Sequence, residues 1–162
     1  MSYCTLTSDC LNHVYNQWVD YYNARLNALK YIVKAKKDDW YDEGNSDLRY
    51  GRYNADSVQR WYDNNCREAD EWFDKCLRGL KDEDNQFEFF FKQMQNDYYT
   101  EDDYDYVIIY DFSKKERRRE YLGQGKRSVT VRFVNTSHWY EWKPYRRDLS
   151  FDAGKPYFTP WR

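Results

Sequence analysis

Hydrophobic periodicity changes once along this chain, and that change limits the folds open to it. Up to about Tyr98 apolar residues recur at every third or fourth position, and from Tyr104 onward they alternate. Helical segments followed by strands predict an α+β fold. The expected arrangement is two long helices and one shorter helix packed on a small, mainly antiparallel C-terminal sheet. At 162 residues the chain suits a single domain, 1–162, with a helical part over 1–99 and a β-rich part over 100–162.

The first helix is expected over about Ser8 to Lys37, with Leu11, Val14, Tyr15, Trp18, Tyr22, Leu26, Leu29, Ile32 and Val33 on its apolar face. Asp9 complements the positive end of its dipole, and Lys34, Lys36 and Lys37 the negative end. Asp38 to Asn54 holds two glycines and several turn formers, and reads as irregular. A second helix is expected from Asp56 to Leu80 and a third from Asn85 to Tyr98. In the β part, Tyr104, Tyr106, Ile108, Tyr110 and Phe112 point one way, and Val129, Val131 and Phe133 alternate likewise. A further strand is expected through His138, Tyr140 and Trp142. Ser113 followed by Glu116 reads as a capping box and Gly123 as a helix stop, so KKERRREYL is expected as a basic helical insert. From Pro144 the chain has little period and reads as an extended arm.

The core such elements can build is unusual in kind. Leu, Ile, Val and Phe make up 29 of 162 residues, a scarcity that in other chains signals disorder. Here the net charge is only −2, and 25 Trp and Tyr replace the missing aliphatics. Each such ring buries about 150–250 Å² and keeps a polar edge for water or a hydrogen bond. An aromatic interior is therefore expected.

Nothing in the chain reads as a membrane span, and its first residues lack the basic start and apolar run of a secretory signal. A cytoplasmic address follows as the expectation, with Cys4, Cys10, Cys66 and Cys76 as ordinary thiols. Their spacings fit no zinc pattern. No cofactor or metal is expected, and no catalytic residue is assigned. His13 and His138 stand in no nucleophile motif. Asp111 with Glu141 and Lys143 sketches the D…ExK spacing of a metal-dependent nuclease, a third-ranked expectation.

Charge is segregated. Residues 1–112 carry a balance of −10 and residues 113–162 a balance of +8. On the second helix Asp56 and Arg60, Asp63 and Arg67, Glu71 and Lys75, and Asp74 and Arg78 are spaced to pair with each other. The stretch 97–111 holds six acids, five tyrosines and no base. Asp97, Tyr98, Tyr99, Glu101, Asp102, Asp103 and Tyr104 are thus the candidate partner-binding residues. The basic counterpart is Lys114, Lys115, Arg117, Arg118, Arg119, Lys126 and Arg127, a candidate nucleic-acid surface.

Dense aromatics with segregated charge favour a small non-enzymatic interaction protein. Tyr, Asn, Asp and Trp in a small acidic chain without an enzyme motif resembles the composition of a bacteriophage accessory protein, and an accessory or anti-defence inhibitor is the expectation. The expected partner is a host protein or a protein–nucleic-acid complex, bound through acidic, aromatic and basic surfaces. Nucleic acid alone is the alternative partner, no membrane is expected, and the long first helix could also pair with its copy in a homodimer.

Overall fold

The structure, a computed structural model, describes residues 3–4, 6–97, 99–100, 104–124, 129–137 and 146–154; at 3–4, 99–100, 104, 124 and 146–154 it describes the backbone. Two long helices dominate it, α1 (Ser8–Arg49) and α2 (Ala55–Gln95), preceded by the short strand β1 (Tyr3–Cys4). After α2 come β2 (Tyr99–Thr100), β3 (Tyr104–Asp111), β4 (Glu116–Gln124), β5 (Val129–Ser137) and β6 (Arg146–Gly154). The last four form one sheet in the order β4-β3-β5-β6, while β1 and β2 pair antiparallel on their own. The central pair β3–β5 is parallel, and β4 and β6 flank it antiparallel. The α+β class holds, and no helix among the described residues is long and apolar enough to cross a membrane.

Four element boundaries differ from expectation, each for a local reason. The first helix does not end near Lys37; it runs on through the DDWYDEGNSD stretch to Arg49. Gly44 is no breaker there, because its missing side chain lets α1 approach α2. A Cβ at Gly44 would lie 3.1 Å from Val58 Cγ1. The stop is Gly51, in the left-handed region at φ 67°. Its N–H donates to Leu48 O and that of Arg52 to Asp47 O, the paired bonds of a glycine C-cap.

The second and third expected helices are one. The buried stripe of α2 is Cys76, Leu80, Glu83, Phe87, Phe90 and Met94, unbroken at alternating steps of four and three. The polar run KDEDNQ hides this continuity because Glu83 is a core residue of the stripe. Both helices start on side-chain caps, with Thr7 Oγ1 accepting from Cys10 N and Asn54 Oδ1 from Ser57 N.

The basic insert is not helical; most of it is the edge strand β4. Asp111 Oδ1 accepts the N–H groups of Ser113 and Lys114, which closes a β3–β4 hairpin instead of a helix cap. Lys115 takes the left-handed conformation the turn needs, at φ 57°. Charged side chains suit an edge strand, where they discourage pairing with other chains. Finally, the segment expected as an extended arm contributes β6, paired along β5. The strand expected at His138, Tyr140 and Trp142 lies outside the described residues.

The main core lies where the open end of the α1–α2 hairpin meets the sheet. Trp18 stacks between Phe87 at 4.6 Å and Phe112 at 5.3 Å, with Phe133 edge-on at 5.6 Å. Leu6, Cys10, Val14, Phe90, Met94, Tyr106, Ile108, Tyr110, Val129 and Val131 complete the cluster. Trp18 also keeps its polar edge satisfied, donating from Nε1 to Asp84 Oδ1 at 2.9 Å. The aromatic interior expected from composition is present.

A bulge in β5 fastens the hairpin to the sheet. Asn135 has φ 60°, and the register with β6 shifts between Phe133 and Thr136. Past that shift Thr136 and Ser137 are both buried. Thr136 Oγ1 meets Tyr21 Oη at 3.3 Å, and Ser137 N donates to Glu83 Oε1 at 2.9 Å. Arg25 completes the clamp: its Nη1 donates to Glu83 Oε2 at 2.7 Å and to Ser137 O at 3.0 Å. Its guanidinium also lies over the Tyr21 ring at 4.0 Å.

Candidate interaction surfaces

The acidic and basic segments meet inside the molecule. Asp97 follows the C-cap of α2, where its N–H donates to Met94 O, and its side chain is buried. Tyr110 and Ile108 of β3 stand opposite Arg117 and Arg119 of β4, so both arginines point to the helix side of the sheet. There Asp97 accepts from Arg117 Nη1 and, at 3.2 Å, from Tyr110 Oη, while Arg119 Nη2 stands 3.9 Å away. Asp97, expected to face a partner, is thus committed to an internal pair. Tyr99 lies in β2 and Tyr104 opens β3, and Tyr98, Glu101, Asp102 and Asp103 lie outside the described residues.

The other basic residues divide by position. Lys114 and Lys115 are exposed in the hairpin turn. Arg118 points to the opposite face of β4 from Arg117 and pairs with Glu120 at 3.4 Å. Lys126 and Arg127 lie outside the described residues. Asp111 acts in the turn: besides Ser113 and Lys114, its Oδ1 accepts from Asn135 Nδ2 at 3.1 Å. Burial alone would raise its pKa, but the hydrogen bonds from Lys114, Asn135 and Ser113 outweigh it and hold the carboxyl below its ordinary value. Glu141 and Lys143, its expected partners in a D…ExK site, lie outside the described residues. His13 is exposed on α1, and Cys10 and Cys76 are buried thiols. Burial pushes the Cys76 thiol up.

A surface that the sequence did not announce lies at the closed end of the hairpin. The small cluster of Leu29, Cys76 and Leu80 is the last buried group along the helices that includes large aliphatic side chains from both. From Leu29 to the end of α1 the pair continues for about 30 Å at 1.5 Å per residue. Along this arm the buried residues are small ones, Gly44, Val58 and Ala69. Gly44 packs on Val58, Tyr41 meets Tyr62 edge-on at 6.1 Å, and Lys37 bonds Asp70 at 2.7 Å.

What the arm does not bury, it displays. Tyr41, Tyr50 and Tyr53 are 58%, 69% and 64% exposed, and Leu48 joins them at the surface. Residues 38–63 hold seven Asp and Glu against three arginines. Of these acids Asp47 pairs with Arg52 at 3.1 Å, whereas Asp38, Asp39, Asp42, Glu43, Asp56 and Asp63 are exposed and in no salt bridge among the described residues. The pairing expected between Asp56 and Arg60 is replaced by a bond from Arg60 Nε to the Asp56 carbonyl. Asp63 accepts from Gln59, and Arg67 stands beside Glu71. The arm therefore combines exposed rings with uncompensated negative charge. Its sequence signal was the aromatic and acidic content of 38–54, masked there by turn-forming residues.

No family model, no curated protein and no solved structure matches this chain.

Proposed function

We infer that the protein acts by stoichiometric binding, presenting the closed end of its helical hairpin to a partner with a basic surface. The observation that carries this is the exposure of Tyr41, Leu48, Tyr50 and Tyr53 among carboxylates that, apart from Asp47, stand in no salt bridge among the described residues. Exposed tyrosines supply contact area at low entropic cost, and they are enriched among the residues that dominate binding energies. Unopposed carboxylates steer a basic partner and orient it, most strongly at low salt. A host protein or protein–nucleic-acid complex, blocked by an accessory or anti-defence protein of bacteriophage type, is the partner class that suits this surface.

The test is differential capture. Wild-type protein, a Tyr41→Ser/Tyr50→Ser/Tyr53→Ser variant and a Lys114→Gln/Lys115→Gln variant are used as baits at two salt concentrations. A partner retained by the turn variant, lost by the arm variant and weakened by salt is the expected result. A partner captured equally well by the arm variant would overturn the assignment, as would none that depends on the arm. A second copy of this chain as the captured species would replace inhibition by self-association.

A further inference from the structure

The closed end of the arm carries a half-open pocket of about 470 Å³, a volume in the range of ligand sites. On the α1 side Glu43 and Asp47 stand one helical turn apart and so share a face. On the α2 side are Ser57, Val58 and Trp61, and Tyr53 of the connecting turn joins them. We propose that this pocket seats an arginine side chain of the protein partner, an inference that rests on the arm being the binding face.

Charge selects a cation. Among the described residues two carboxylates and no cation line the pocket. Glu43 is exposed and in no salt bridge among those residues, and Asp47 shares its charge with Arg52 Nε at 3.1 Å. Two carboxylates against one guanidinium leave one negative charge, the complement of one arginine. Of the arm's other arginines, Arg60 bonds the Asp56 carbonyl, and Arg49 is exposed and in no salt bridge among the described residues. The negative end of α1 favours a cation here, whereas the positive end of α2 opposes it. That positive end is answered by Asn54 Oδ1, which accepts from Ser57 N, and by Asp56 in the first turn.

Shape selects the guanidinium. Gly44 lets α1 come so close that a Cβ there would lie 3.1 Å from Val58 Cγ1 and 3.9 Å from Trp61 Cζ3. The indole therefore stands against α1 beside the carboxylates. Trp61 is only half-buried and Tyr53 is exposed, so both rings remain open to a ligand. A planar guanidinium can stack on such rings and fork onto a carboxylate in the same pose. The compact, strongly hydrated ammonium of lysine does this less well. The chain already holds one guanidinium in this manner close by. Arg52 lies against Asp47, 5.3 Å from the centre of the Tyr50 ring, and donates from Nη2 to Ser46 Oγ at 2.9 Å.

An NMR titration of the full chain tests the pocket, following the Trp61 indole N–H, which is assigned by its loss in Trp61→Phe. The probes are acetyl-Gly-Arg-Gly-amide and its lysine and citrulline counterparts. The arginine peptide should shift that resonance saturably, and less tightly as salt rises. The citrulline peptide, similar in shape but uncharged, should bind about ten-fold more weakly, the scale of one charge-assisted hydrogen bond, with the lysine peptide between the two. Glu43→Gln should weaken the arginine peptide by a similar factor. Asp63→Asn, which alters an exposed acid of the arm outside the pocket, should leave it unchanged. Equal binding of the arginine and lysine peptides, equal loss in the two acid variants, or no shift at tens of millimolar would each overturn the pocket. Capture with Glu43→Gln as a further bait separates this inference from the reading beneath it. A partner lost with both Glu43→Gln and the tyrosine variant supports the pocket. One lost with the tyrosine variant but kept by Glu43→Gln overturns the pocket and leaves the arm as the binding face. Arginine-peptide binding without any arm-dependent partner would overturn the arm reading alone.

Discussion

The two ends of the α1–α2 hairpin are built from the same kinds of residue and put to opposite use. At the open end Trp18, Phe87 and Phe90 are buried with Tyr110 and Phe133, and the charged pair Arg25–Glu83 is buried with them. At the closed end Tyr41, Tyr50 and Tyr53 stand in solvent, and the carboxylates around them are mostly unpaired. Aromatic content alone therefore does not separate core from surface in this chain. What separates them is whether a third layer, the sheet, lies beside the two helices. Where it does, rings and charges are consumed internally; where it does not, a two-helix pair has too little depth to bury them.

The comparison is most easily broken at Glu83. Replacing it by Ala leaves Arg25 buried without its counter-charge and frees the N–H of Ser137, a loss of about 3–5 kcal/mol. Chemical denaturation of Glu83→Ala measures it, and a loss under about 1 kcal/mol would mean that the clamp does not join hairpin to sheet. Asp111 gives a smaller, pH-dependent effect. Its carboxyl is held below the ordinary 3.8, so its stabilising contribution is complete above that value and is lost as pH falls through the lowered one. Asp111→Ala should cost about 1–2 kcal/mol at neutral pH through the lost turn hydrogen bonds. Its stability should also fall less steeply than wild type below the ordinary aspartate pKa, which acid titration of the folded fraction would show.

At the closed end the expected effects shrink. Gly51→Ala places a side chain at φ 67° and should cost about 1 kcal/mol, felt in the arm and not in the sheet. Tyr41→Ser, Tyr50→Ser and Tyr53→Ser should each change stability by less than about 0.5 kcal/mol, since each ring is exposed. Thermal melts of the three single variants check this, and a loss near that of a core ring would place them inside the fold.

Much of this division was legible in the residues. The change of period near Tyr104, the inward set Tyr106, Ile108, Tyr110 and Phe112, and the aromatic core follow from spacing and composition. The clamp was not legible, because Arg25 and Glu83 are 58 residues apart and each looks like a solvated charge on its own helix. Only their positions in line with the buried stripes hinted otherwise: Arg25 between Trp18 and Leu29, Glu83 between Leu80 and Phe87. The length of α1 was hidden by Gly44, whose effect depends on Val58 across the hairpin. ERRREYL favours helix locally, yet it forms a strand because β3 offers a free edge and Asp97 waits for Arg117 on the far side. The arm's surface could not be seen until the helix was known to continue through it.

Hydrogen exchange of the amides in the free protein and in complex with its captured partner bears on all of this at once. Free protein should protect 14–29 and 76–94 far more strongly than 38–63, and partner binding should slow exchange in 38–63 while leaving 106–112 unchanged. Equal protection along the whole hairpin, or slowing confined to β4, would contradict the account.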